Sequence, residues 1–393
     1  MRRRGCRAVL AAGLVCGLPV GAAVAPARAQ APPADLARAI GDLGAFDHAV
    51  RVEASRVVRR TPVDVAAPAL IEAARSHEDS YVQFRAAALL AGFGDERSRA
   101  FFHEALDAPN DRVRAAAYAE AERRPDSALA PRLLAALEWE TSEFVRPALI
   151  RALAAHDEDP AVRERLVEDV DRGEGHFRSA VIEALGDHGA GYAIEPLLEL
   201  ASEDGPLRDD ALLALGKIGD GRALRTIAAA QSEAEEALQP IVSAAACLLG
   251  ADCQHQAQYV LDALRYGAAS GGAEQPLLRS AATAAAALSA AGRPGVLDAL
   301  FAAGISSVDP ARAPIALAVG AVALRAPRHM LAELAGGDDL DGRLLLLRDA
   351  FDMLDEDLAE ERFYALMRRT YWDERQPAGA RTAAEAAIRV LEF

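Results

Sequence analysis

From residue 47 to residue 250 the chain sets apolar and small residues at a helical period, and the whole pattern recurs about every thirty-one residues. Starts stand at Val50-Arg51, Val82-Gln83, Val113-Arg114, Val145-Arg146, Phe177-Arg178 and Leu207-Arg208, with a weaker one at Leu238-Gln239. Within one unit, Leu207, Ala211, Leu212, Leu215 and Ile218 fall on a single helical face. Three residues before each start stands Asp47, Asp79, Asn110, Ser142, Glu174, Asp204 or Glu235, most of them good helix N-caps. Gly94, Gly189, Gly219 and Gly250 fall where the helix should end and supply the left-handed conformation of a C-terminal cap. A second, shorter apolar segment follows, as at 128–137 and 193–200. Each unit is therefore a helix–turn–helix pair that cannot bury its apolar faces alone, and stacking the pairs makes one continuous core. The pattern predicts an all-α, right-handed α-solenoid of about ten to twelve helix pairs.

These units resemble the HEAT repeat family, and in particular the short HEAT-like repeats of the bilin-lyase type. The V-R-x-x-A start (Val113-Arg114 to Ala117), the A-L-G-x-I-G-D helix end (Ala214 to Asp220) and the following P-L-L helix (Pro196-Leu197-Leu198) carry the resemblance. It implies that the arginine column Arg51, Arg114, Arg146, Arg178 and Arg208 forms an internal ladder, each guanidinium meeting the acidic cap of a neighbouring repeat. Without it, the same column reads as a row of cations able to grip carboxylates or phosphates.

The period divides the chain into a joint at 30–41 containing Pro32-Pro33, an array at 42–254, and degenerate repeats with a C-terminal cap at 255–393. Helical patterns resume at 275–291, 311–325, 340–354, 357–371 and 381–393. Ahead of all this, Arg2, Arg3, Arg4 and Arg7 precede an uncharged stretch at 8–27 and the small-x-small site Ala27-Arg28-Ala29. That order describes a secretory signal peptide over 1–29, cleaved after Ala29, and an exported, periplasmic or secreted protein.

Charge narrows the partners. The 393 residues carry 43 basic and 59 acidic side chains, a net charge of −16. Loss of residues 1–29 would remove five arginines and no acid. Such a chain repels nucleic acid and anionic membranes, and no stretch after residue 29 reads as a membrane span.

Few residues carry chemistry. The dipeptides His77-Glu78 and His103-Glu104 are out of phase with each other and too few for the di-iron site that one enzyme family builds on HEAT-like repeats. No zinc spacing, nucleophile elbow or phosphate loop occurs, so no catalytic residue, metal or cofactor is expected. Eleven acids crowd the stretch from Glu333 to Glu361, Asp355 among them, and read as the solvated outer face of helices that bury Leu346, Ala350, Met353 and Leu354. A docking patch for a basic partner or divalent cation is the other reading. Trp139, between Glu138 and Glu140, reads as an exposed partner contact. Phe101, Phe102, Tyr192, Tyr371 and Trp372 read as packing residues.

Cys247 and Cys253 are the cysteines that remain after residue 29. In an oxidising compartment they are expected to pair, because Gly250 can turn the chain between them, adding about 2 kcal/mol of stability. The function expected is an exported scaffold that binds a protein partner along a long concave surface. A lyase- or hydroxylase-like enzyme, or a subunit of one, acting on a prosthetic group or protein side chain, is the alternative.

Overall fold

The computed structural model describes residues 33–354 and 356–393. The signal sequence and cleavage point expected over 1–29 lie outside the described residues, as does Asp355.

Every regular element among the described residues is helical. The chain begins with α1 (Ala34–Asp42), α2 (His48–Arg60), α3 (Val63–Ser76), α4 (Ser80–Phe93), α5 (Glu96–Glu104) and α6 (Asp111–Arg123). It continues through α7 (Ala130–Trp139), α8 (Arg146–Ala154), α9 (Pro160–Asp169), α10 (Gly175–Asp187), α11 (Ile194–Ser202) and α12 (Arg208–Ile218). Next come α13 (Leu224–Glu233), α14 (Gln239–Leu248), α15 (Cys253–Ala269), α16 (Gln275–Ala290) and α17 (Val296–Ser306). The last are α18 (Arg312–Arg325), α19 (Pro327–Gly336), α20 (Leu340–Leu354), α21 (Asp357–Trp372) and α22 (Ala378–Val390). The α-solenoid expected from the period is the fold, and it runs on through the stretch where the sequence pattern weakens.

Local rules account for most boundaries. The side chains of Asp47, Asp79 and Asn110 accept from the N–H groups of Ala49, Tyr81 and Arg112 at 2.8, 2.8 and 3.1 Å. Ser142, Glu174, Asp204 and Glu235 do not cap in this way. Before α8 and α14 the backbone does the work, with the carbonyls of Ser142 and Glu235 accepting from Val145 and Leu238 at 3.1 and 2.9 Å, so these helices start later than the cap spacing implies. Gly219 ends α12 at φ +76°, a conformation that costs a Cβ-bearing residue dearly.

The first helices of the pairs, α2 to α20 in even numbers, lie side by side in one layer, and the second helices form the other. Small residues set the spacing of the first layer. A Cβ on Gly216 of α12 would stand 2.6 Å from the Cα of Ala245 in α14, and one on Gly186 of α10 would stand 2.8 Å from the Cα of Ala214. The second helices touch one another sparsely, so the array curves with the first layer inside.

The curvature brings the two ends together. Helix α21 leaves the second layer and packs across α4 and α18. Its Glu361 pairs with Arg59 of α2 and lies 3.6 Å from Arg85 of α4, while Asp357 pairs with Arg85. Arg362 donates to the carbonyl of Ala119 in α6 at 2.8 Å, and Glu392 accepts from Arg56 of α2 through its carbonyl at 3.2 Å. Helix α4 is buried on every side for this reason, from Val82 and Phe84 through Gly92, and its Gly92 lets the Glu361 backbone approach. The long open concave surface expected from the repeats is therefore covered over α4 by the chain's own C-terminal region.

The acidic block is corrected by the same packing. Glu361 is buried, Asp349 pairs with Arg312 at 2.7 Å, and Met353, expected inside, is exposed. Trp372, expected to pack, is 76% exposed. No single helix among the described residues is long and apolar enough to cross a membrane.

Candidate functional site

The arginine column shows what each unit needs at that position. Arg51 donates to the carbonyls of Ala45 and Phe46, both at 2.8 Å, and Arg178 donates to Val170 at 2.7 Å. Arg208 donates to Ala201 at 3.2 Å, and Arg114 to Ala108 and Pro109 at 2.8 and 3.1 Å. Gln83 and Gln239 do the same with uncharged amides, to His77 at 2.7 Å and to Ala234 at 2.9 Å. The position therefore demands a long donor that ties down the carbonyls closing the preceding helix and linker. A ladder of arginines to neighbouring acidic caps is not what forms. Gln83 does meet the cap of the next unit, Asn110, at 3.0 Å. The device continues where the sequence period fades, in Arg312 to Gly304 at 2.7 Å and Arg343 to Asp338 at 2.8 Å. Sequence reasoning missed these two; a search for arginine near the start of each first helix finds them.

Arg178 and Arg208 also reach the exposed carboxylates of Asp171 and Asp204, whereas Arg114 holds a buried one. Its Nε and Nη2 also donate to the carboxylate of Glu140, at 2.7 and 3.0 Å, and Glu140 in turn accepts from the N–H of Ser142 at 3.2 Å. Glu140 is buried, so the linker from α7 to α8 is folded around a carboxylate that only Arg114 neutralises. Arg146 is relieved of the task. Among the described residues it makes no hydrogen bond or ion pair, and its Nε is buried without a partner. Its guanidinium lies over the Phe177 ring, 4.0 Å from the centroid, beside a recess of about 130 Å³.

The linkers that lead from a second helix into the next first helix share one edge of the array, and some of the large exposed apolar side chains stand there. Phe46 is fully exposed before α2, and Val308 is exposed before α18. Phe144 is 92% exposed before α8. Trp139, the partner contact expected from the sequence, is 45% exposed at the end of α7, with the Arg114 guanidinium 5.3 Å from its ring centre. Phe101 and Phe102 are buried.

The opposite edge is held by charge. Arg151 of α8 lies 2.8 Å from Glu122 of α6 and 2.9 Å from Asp187 of α10. Lys217 of α12 and Arg325 of α18 reach Asp187 at 2.7 and 3.2 Å. Burial raises the Asp187 carboxyl, but Arg325, Lys217 and Arg151 outweigh it and bring it down to about 2. These cations sit at helix C-termini, where the helix dipole also favours them.

Glu360 of α21 behaves in the opposite sense. Burial, then the charges of Asp357 and Glu361, push its carboxyl up to about 7, against hydrogen bonds from Tyr364 at 3.1 Å and the Glu356 N–H at 3.2 Å. A raised carboxylate favours the docked state while protonated, so its contribution is complete below its ordinary pKa and is lost as pH rises to about 7. The expected result is that Glu360→Gln melts above wild type at pH 8 and level with it at pH 5. A gap that does not change with pH would contradict this.

Cys247, buried at the end of α14, and Cys253, at the start of α15, are joined, with Cα atoms 4.0 Å apart across the turn at Gly250. Thiol titration of denatured, unreduced protein lacking residues 1–29 is expected to find no free thiol; two per chain would refute the bridge. His77 and His103 do not gather ligands: the ring of His77 accepts from the Asp79 N–H at 3.1 Å, and no group of three or more His, Cys, Asp or Glu side chains suited to a metal occurs among the described residues.

No curated protein matches the chain. Residues 67–154, from within α3 to the end of α8, match the family model described as HEAT repeats, and Arg114, Glu140, Phe144 and Arg146 lie within the matched stretch.

Proposed function

We propose that this chain is an exported scaffold that holds a protein partner against the linker edge of its helical array, without chemistry of its own. The observation that carries the reading is Phe144, 92% exposed on a linker that is itself anchored by the buried Arg114–Glu140 pair. A fixed aromatic side chain exposed to water is what a binding hot spot presents to its partner. Trp139 and Phe46 extend the same edge. Helical repeat arrays bind through such extended surfaces, and covering of the concave side over α4 turns attention to the edge. The excess of 59 acids over 43 bases argues against a nucleic-acid partner.

The test is comparative affinity capture from a periplasmic extract, with the chain lacking residues 1–29 as bait. A partner retained by wild type and lost with Phe144→Ala combined with Trp139→Ala, at unchanged melting temperature, supports the reading. Identical captures by wild type and the double variant would sink it.

A further inference from the structure

The geometry points to a second element of that edge: the recess at Arg146 is a receptor for a single carboxylate, supplied by an acidic side chain in an extended segment of the partner. The proposal rests on the scaffold reading and specifies the chemistry of the partner there.

Four observations converge. Arg51, Arg114, Arg178 and Arg208 spend their guanidinium groups on backbone carbonyls, whereas Arg146 occupies the same column and makes no such bond. The reason is local, since Glu140 organises the linker that Arg146 would otherwise tie down. The Nε is buried without a partner and the terminal nitrogens bond no described residue, so the half-buried guanidinium is left for a group that the protein itself does not supply. The Asp169 carboxylate, which feels the Arg146 charge, is bonded instead by Arg165 at 3.0 Å.

The second observation is the setting of the side chain. Phe177 is buried and holds the guanidinium plane by cation–π contact, so little freedom remains to be lost on binding. The third is the recess beside it, about 130 Å³, lined by Thr141, His176 and Phe177 with Arg146, enough for the end of one acidic side chain. The fourth is Phe144, two residues away and exposed, which an apolar neighbour of that acid would cover.

The walls also select the charge. Glu143 and Glu174 also line the recess and repel any anion, a dianionic phosphate more than a singly charged carboxylate, so the direct bond to the guanidinium is what favours the carboxylate there. The fitting motif is an acid between apolar residues in an extended strand.

Full-length chain lacking residues 1–29 would be titrated with capped Leu-Glu-Leu, Leu-Gln-Leu and Leu-phosphoserine-Leu peptides, following the Arg146 Nε–H resonance. The Glu peptide is expected to shift that resonance and to bind at least tenfold more tightly than the Gln peptide. Arg146→Gln is expected to abolish the preference while leaving the melting temperature unchanged, whereas Arg114→Gln lowers it. Equal binding of Glu and Gln peptides, tighter binding of the phosphoserine peptide, or a preference that survives Arg146→Gln would each overturn the assignment. A fall in melting temperature for Arg146→Gln as large as that for Arg114→Gln would also overturn it, by making Arg146 structural. Capture through Phe144 is read separately, so a wild type that captures its partner but binds the Glu and Gln peptides equally refutes this site alone.

Discussion

Glu361→Ala is expected to release α21 from α4. The carboxylate is 2% exposed and Arg59, which it pairs, is 6% exposed. Removing one partner of a buried pair leaves the other charge without compensation, at a cost of about 3–5 kcal/mol. Arg85 retains Asp357, so the loss falls on Arg59. Burial raises the Glu361 carboxyl, but Arg59 and Arg85 hold it below the usual range, so the group is charged at neutral pH. Because a repeat array opens in parts, the readout is local: hydrogen exchange in α4 and α21 should accelerate together while α12 and α14 stay protected. Replacing both partners, as Arg59→Met with Glu361→Leu, should restore protection, since an apolar pair of similar volume avoids the desolvation cost. Unchanged exchange in Glu361→Ala would show that closure does not depend on this pair.

Glu140→Gln should act as strongly at the linker from α7 to α8. The carboxylate is 1% exposed and takes two hydrogen bonds from Arg114 and one from the Ser142 N–H. With the amide in its place, the Arg114 guanidinium loses its counter-charge, again at a cost of about 3–5 kcal/mol. The linker from α7 to α8 should loosen, and Trp139 and Phe144 with it. The expected result is a lower melting temperature and loss of partner capture in the same variant. Retention of capture after such destabilisation would mean that the fixed linker is not what presents Phe144.

Much of the array was legible before the structure. A period near thirty-one residues, apolar stripes at helical spacing and glycines at helix ends are local signals, and helix boundaries such as Arg208–Ile218 follow from them. The closure was not legible in the same way. Glu360 and Glu361 belong to a run of acids, and a run of acids reads as solvated because sequence shows charge but not the partner two hundred or more residues away. A signal was present in α4 and α21. Both carry apolar or small residues around much of their circumference, as in 86–92 and 363–367, which is the mark of a helix buried on two sides. The candidate site was partly visible: Trp139 stood out, but Arg146 looked like every other arginine of its column. What sets it apart is the position of Glu140, a tertiary fact.

The meeting of α4 with α21 also bears on the order in which the protein becomes stable. Arg85 and Asp357 are separated by 272 residues. An open repeat array can nucleate anywhere and grow outward, since each unit needs only its neighbours. Here the inward face of α4 stays uncovered until nearly the whole chain exists, which at about 5–20 residues per second takes on the order of tens of seconds. The earliest repeats to be made are thus among the last to be completed. An apolar helix face waits in the open meanwhile, and contacts this distant in sequence form late. A chain ending before residue 356 would keep its repeats and lose their lid, leaving the inner face of α4 free to find other chains.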